Sequence, residues 1–284
     1  MYESENVEIH AVDHCNLDCV GCSHGSPHLS ERKEDPEKLK TALDRLWDHY
    51  QAPLVKILGG EPLLHREIDS IISAVKSTTD ATVRLITNGT MLPHRYHLLS
   101  EVDEIHVSVY PDASIPDEDH LRTISSEIQT PITLQEFSHF RWEHAPPEYN
   151  GEQTDRIFES CKLYHNWECH TIRAGKFHPC PPIANWAEEG EAGLDLLADD
   201  VDVETGLNQL LDRDTPFEGC EECLGSVGKQ FEHEFGWRDS DKQAPEDPID
   251  YDYLQELESD SDAYNGCYDF NKKIMPNGET VEVT

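Results

Sequence analysis

Apolar runs of four to six residues alternate with helical stretches through the first half of the chain, and most of the runs stop at residues that cannot extend a strand. Val7 to Val12 stops at His14-Cys15, and 53–58 stops at Gly59-Gly60-Glu61-Pro62. Thr82 to Thr87 stops at Asn88-Gly89, Glu104 to Val109 stops at Tyr110-Pro111, and Pro131 to Leu134 makes a fifth run. Between them, Asp35-Pro36 places an N-cap and a first-turn proline ahead of Leu39, Leu43, Leu46, Trp47 and Tyr50 at helical spacing. Leu64, Ile68, Ile71, Ile72 and Val75 mark a second amphipathic helix, with further helices expected over 91–100 and 118–128. This rhythm predicts parallel strands joined by helical crossovers, an α/β fold in which ligands gather at the C-terminal strand edge. The punctuated strand ends are therefore the candidate site loops.

Beyond about residue 140 the alternation gives way to prolines, separated cysteines and acidic runs. The expected organisation is a core domain over 1–150, a smaller cysteine-containing domain over 151–238, and a loosely packed acidic extension over 239–284. That last stretch holds 13 acids against 3 bases and little periodicity.

Charge narrows the partners. With 22 Lys and Arg against 58 Asp and Glu, the formal net charge is −36, too acidic for the clustered cations that nucleic acid or an anionic membrane requires. No apolar run approaches the roughly 20 residues of a bilayer span, and MYESENVEIH lacks the basic and apolar parts of a signal peptide. The expectation is a cytoplasmic protein with no nucleic-acid or membrane partner. In that compartment nine cysteines point to metal rather than disulfides. Runs such as Glu188 to Glu204, which contains no base, read as solvated acidic surface.

The sharpest motif is Cys15-Asn16-Leu17-Asp18-Cys19-Val20-Gly21-Cys22, a C-x3-C-x2-C loop directly after the first strand. Three thiolates can hold three irons of a 4Fe–4S cube and leave the fourth open. A zinc ion with His24 or His28 as fourth ligand would fit the same spacing. The loop, with Gly59-Gly60-Glu61-Pro62 after the second strand and Thr87-Asn88-Gly89 after the third, resembles the radical SAM superfamily over roughly residues 7–135. The resemblance implies a partial (β/α)6 barrel and a 4Fe–4S cluster on Cys15, Cys19 and Cys22. It also implies S-adenosylmethionine held by Gly59, Gly60, Glu61, Asn88 and Ser108. Gly21 departs from the family pattern, in which an aromatic residue often precedes the third cysteine.

Downstream, Cys169 to Cys180 reads as a hairpin turning at Ala174-Gly175, and Cys220-Glu221-Glu222-Cys223 is a tight pair suited to one metal centre. With Gly175, these four cysteines are similar to the twitch domain, a shortened SPASM extension, which implies an auxiliary 4Fe–4S cluster on Cys169, Cys180, Cys220 and Cys223. A structural zinc ribbon is the alternative. Cys161 and Cys267 are left over; either could replace a ligand, but each reads as a buried or incidental thiol. None of the histidines His14, His24, His28, His165, His170 and His178 is expected to serve as a catalytic acid or base.

The expected function is that of a radical SAM oxidoreductase. It would cleave S-adenosylmethionine reductively, with an electron donor such as flavodoxin or ferredoxin, and abstract a substrate hydrogen in a two-electron oxidation of a small metabolite. Modification of a ribosomal peptide or protein side chain is the second reading. A non-catalytic zinc or iron–sulfur interaction protein is the reading of another class, and GGEP and TNG at strand ends speak against it.

Overall fold

The computed structural model describes residues 1–144, 151–186, 193–239, 242–264, 266 and 268–283. Cys267, and Glu188, Glu189 and Glu191 of the acidic run, lie outside them. Five strands of the first half, β1 (Val7–Val12), β2 (Leu54–Gly59), β3 (Thr82–Thr87), β4 (Glu104–Val109) and β5 (Ile132–Phe137), lie parallel in that order. Their helix-facing residues are apolar, while the alternate positions Glu8, Lys56, Arg84 and His106 turn into the barrel. Val7, Ile9, Val55, Ile57, Val83, Leu85, Ile105 and Val107 are fully buried.

Helices α1 (Pro36–Trp47) and α2 (Ile68–Thr78) pack side by side against these strands. In α1 the Asp35 side chain accepts from the Glu37 and Lys38 amides and Pro36 starts the first turn, as its sequence predicts. Leu39, Leu43 and Leu46 are buried on its inner face. Helix α3 (Glu118–Ile128) covers the stretch expected for it. The stretch 91–100 instead breaks into one short turn, Leu92–Arg95, and a 3-10 turn, Tyr96–Leu98.

A sixth parallel strand, β6 (His170–Arg173), completes the barrel wall from an unexpected side: it pairs with β1, not β5. It forms an antiparallel hairpin with β7 (Lys176–His178), and Ala174 and Gly175 both have positive φ, 53° and 73°, at the turn the sequence marks. β8 (Leu194–Asp195) extends that edge. At the opposite edge β9 (Tyr268–Ile274) pairs antiparallel with β5, and β10 (Thr280–Glu282) pairs with β9. The ten-stranded order is thus β8-β7-β6-β1-β2-β3-β4-β5-β9-β10. The sheet is open at both ends, a partial barrel.

The expectation of a loosely packed 239–284 is corrected here. That stretch supplies Ile274, fully buried in the main core, and the helix Tyr251–Ser259. Tyr253, Leu254 and Leu257 of this helix are buried in a second apolar cluster with Trp142, Ile157 and Leu224. The periodicity was hidden because its acids occupy only the outward positions. Among the described residues no helix is long and apolar enough to cross a membrane.

Candidate functional site

The C-terminal ends of β1 to β5 converge on one cavity of about 420 Å³. Cys15, Cys19 and Cys22 sit on the loop after β1. The loop is anchored from below by Asp13, 3% exposed, which pairs with Arg32 at 2.8 Å and Arg173 at 2.7 Å. From above it is covered by the segment after the C-x2-C pair. The Val20 amide donates to the Glu234 carbonyl (2.9 Å), and Arg238 donates to the Cys15 carbonyl (3.0 Å) and, through its amide, to the Asp18 carboxylate. Gly21 has φ of 62°, and a Cβ there would come within 2.6 Å of the Phe231 ring. The aromatic group beside the third cysteine is thus delivered from another strand, Gln230–Glu232, where Phe231 stacks on Trp142.

GGEP and TNG act together on this loop. The Gly60 amide donates to the Val12 carbonyl (2.8 Å) and the Glu61 amide to the His14 carbonyl (3.0 Å). A Cβ on Gly60 would lie 2.0 Å from the His14 oxygen, so the backbones approach as only glycine allows. Glu61 is fully buried. Its carboxylate accepts from the Thr87 hydroxyl (2.7 Å), the Asn88 amide (2.8 Å) and the Leu63 amide (3.0 Å). Burial pushes its carboxyl up to about 7 against those three donors. Asn88 in turn donates to the Cys15 sulfur (3.5 Å) and to Asn16 (3.0 Å). Gly59, Gly60, Asn88 and Ser108 line the cavity, whereas Glu61 stands behind it and ties two of its loops together.

The donor set fits an iron–sulfur cluster. Three soft sulfurs face one another, and backbone amides already point at them: Leu17 donates to Cys15 (3.3 Å), and His24 and Ser26 donate to Cys22. Burial pushes the Cys15 thiol up to about 12 and raises Cys19 and Cys22 as well. The thiols therefore hold their protons until metal binding displaces them.

The second cysteine set lies in the chain after residue 160. Cys180 is buried close enough to Cys223, Cys161 and Cys220 for each to raise its thiol pKa beyond the effect of burial. Cys223 feels Cys161 and Cys220 in the same way. Cys161 precedes a one-turn helix, Lys162–His165, whose Leu163 and Tyr164 amides donate to its sulfur. Cys169 is raised by burial first, then feels Glu8, Lys56, Glu143 and Cys161. Cys161 thus stands in the electrostatic neighbourhood of Cys180 and Cys223, the replacement ligand that the sequence reading left open. The sequence signal for Cys161 is its place immediately before a helix start, where free amides favour an anionic sulfur. Among the described residues the eight cysteines form no disulfide.

Polar side chains fill the rest of the cavity wall: Lys56, Arg84, His106, Gln135, Arg141 and Glu143. Glu143 was not foreseen; burial pushes its carboxyl up to about 7, with Arg141 opposing. Gly225 and Ser226, two and three residues after Cys223, line the cavity with Trp167 and Tyr264.

A partial barrel whose strand ends present three cysteines and a glycine-edged cavity defines a domain that binds S-adenosylmethionine and a 4Fe–4S cluster. Residues 9–129 match the radical SAM superfamily family model, so this part of the chain is similar to the core domain of that superfamily. It is 30% identical over 113 residues to "Probable GTP 3',8-cyclase" of Halobacterium salinarum, which covers 38% of this chain and 31% of that protein. It is 32% identical over 106 residues to the protein of the same description from Methanocella arvoryzae, covering 37% of this chain and 34% of that protein. The chain thus spans about a third of the length of these curated relatives. Its fold is similar to "Crystal structure of BtrN in complex with AdoMet and 2-DOIA", with a TM-score of 0.53 and 16% identity. That likeness covers 80% of this chain and 96% of that one.

Proposed function

We propose that the chain catalyses a radical-initiated two-electron oxidation of a small polar metabolite, with Cys161, Cys180, Cys220 and Cys223 holding an auxiliary 4Fe–4S cluster. The observation that carries this reading is the cavity itself. One cavity is lined both by Cys15, Cys22, Gly59 and Gly60 and by Gly225 and Ser226 beside the second cysteine set. The polar side chains on its wall, Lys56, Arg84, His106, Gln135, Arg141 and Glu143, suit a hydroxyl- or amine-bearing compound. BtrN, whose structure contains AdoMet and 2-DOIA, shares the architecture and supports the choice of a small substrate.

When bound, S-adenosylmethionine and its cluster supply a 5′-deoxyadenosyl radical that takes a substrate hydrogen atom, and the auxiliary cluster supplies an acceptor for the second electron. The protein's own groups do the rest. Gly59, Gly60, Asn88 and Ser108 shape the end of the cavity where S-adenosylmethionine binds. Tyr110, Phe137 and Phe140 wall off water that would quench a radical. The oxidation also releases a proton, and Glu143, on the cavity wall with its carboxyl near 7, receives it. We further propose a flavodoxin or ferredoxin as electron donor and the cytoplasm as location; dithionite replaces that donor in the test.

Anaerobic reconstitution with iron and sulfide should load about eight irons per chain. Dithionite and S-adenosylmethionine should then yield 5′-deoxyadenosine. A fully iron-loaded protein that forms none would sink the radical reading. With a competent substrate, turnover should rise with pH through about 7 as Glu143 loses its proton. Glu143→Gln should lower turnover about 10²–10⁴-fold and flatten that profile.

A further inference from the structure

Strand β1 places Glu8 and His10 at alternate positions, so both side chains point to the same face, into the barrel. They are 7% and 1% exposed on a strand whose every residue is buried. His24 approaches them from the cluster loop, its ring centroid 5.1 Å from that of His10. One ligand atom from each of Glu8, His10 and His24 lies within 4.8 Å of the other two.

Hydrogen bonding leaves this group incomplete. The Nε2 atom of His10 is buried without a partner. His24 shares its Nδ1 with the Ser23 hydroxyl (3.3 Å). Glu8 meets only Lys56, at 3.4 Å. The nearby guanidinium groups of Arg32 and Arg173 are spent on Asp13. The buried His10 Nε2 is thus left without a partner beside a carboxylate and a second imidazole, and buried polar atoms without a partner are rare enough to need an explanation.

We propose that Glu8, His10 and His24 form a mononuclear site for a divalent transition-metal ion, separate from both cysteine centres. Two imidazoles and one carboxylate suit zinc or iron(II) and leave coordination positions open. Glu8 and His24 line the shared cavity, so those positions face it, and an oxygen atom of a bound hydroxyl or carboxylate compound would complete the shell. That last role rests on the cavity being the substrate site; the metal site itself does not, because it uses no cysteine.

The test uses the full chain with its clusters already loaded, incubated anaerobically with Zn²⁺ and desalted. One zinc per chain should be retained with no loss of iron, and zinc absorption-edge scattering should show only nitrogen and oxygen neighbours at about 2.0–2.1 Å. Glu8→Gln, His10→Gln and His24→Gln should each lose that zinc while keeping their iron, which also reports that they fold. His97→Gln, at an exposed histidine, should retain it. No retained zinc overturns the proposal. So does a sulfur shell at about 2.3 Å, or zinc taken up only as iron is lost. Equal zinc in all three site variants overturns it too. Should one variant fail to hold iron, the other two and the wild-type scattering decide. Because iron content and 5′-deoxyadenosine formation are read separately, failure of this site leaves the radical reading intact, and the reverse holds.

Discussion

Cys15, Cys19 and Cys22 occupy eight residues of a single loop, whereas Cys161, Cys180, Cys220 and Cys223 are drawn from a stretch of 63. The first centre hangs from the end of one strand and is braced by neighbouring strand ends through Gly60, Glu61 and Asn88. The proposed second centre would draw on a helix start, the position two residues after a hairpin, and a 3-10 turn, Glu218–Glu222, with the residue that follows it. Local chain geometry dictates the first, and tertiary packing dictates the second. Yet the two are not independent, since the segment carrying the second centre continues into Glu234 and Arg238, which cover the loop of the first.

The comparison is broken most directly at the first centre. Cys22→Ala should abolish 5′-deoxyadenosine formation and remove about four irons per chain. A variant that keeps all its iron would mean that the loop is not a cluster site. At the second centre the same substitution sorts members from bystanders. Cys161→Ala and Cys180→Ala should each lose about four irons, while Cys169→Ala keeps about eight. Iron loss in Cys169→Ala with full loading in Cys161→Ala would restore the membership that sequence spacing suggested and refute the one argued from the thiol neighbourhoods.

That asymmetry also sets how far the sequence could be read. The five strands and α3 were legible because alternation, caps and strand-end glycines are local signals. β1, β3 and β4 fall on the bounds their sequences predict. The three cysteines, the GGEP turn and the TNG turn could be recognised for the same reason, each being a short motif at one strand end. What escaped needed contacts between distant residues. β6 pairs with β1 across more than 150 residues, a choice no periodicity encodes. Cys161 joins Cys180 and Cys223 only because the helix start and the turn at Gly225 are packed together. Glu61 reads from sequence as a cofactor contact and stands in the structure as a buried brace, because two of its three donors come from the Thr87-Asn88 turn and the third from its own. Glu143 lies in an irregular stretch without any motif, and only burial beside the cavity gives it meaning.

Two glycines sharpen the comparison on a smaller scale, one at each centre. Gly60→Ala would drive a methyl group to 2.0 Å from the His14 carbonyl oxygen, a backbone atom that cannot turn aside. The loop must move, and the cost should be on the order of 4 kcal/mol in denaturant unfolding, with impaired loading of the first cluster. Gly225→Ala meets a softer obstacle. Its Cβ would sit 3.1 Å from the Cys161 sulfur at φ of 52°, so the strain of a left-handed alanine, about 1–2 kcal/mol, should dominate. The displacement falls on Cys161, which makes the smaller effect the more diagnostic one. Electron paramagnetic resonance of the reduced, loaded variant should show the auxiliary signal altered and the signal that responds to S-adenosylmethionine unchanged. An alteration confined to the latter would place Cys161 outside the second centre, and with it the claim that packing rather than spacing chose its ligands.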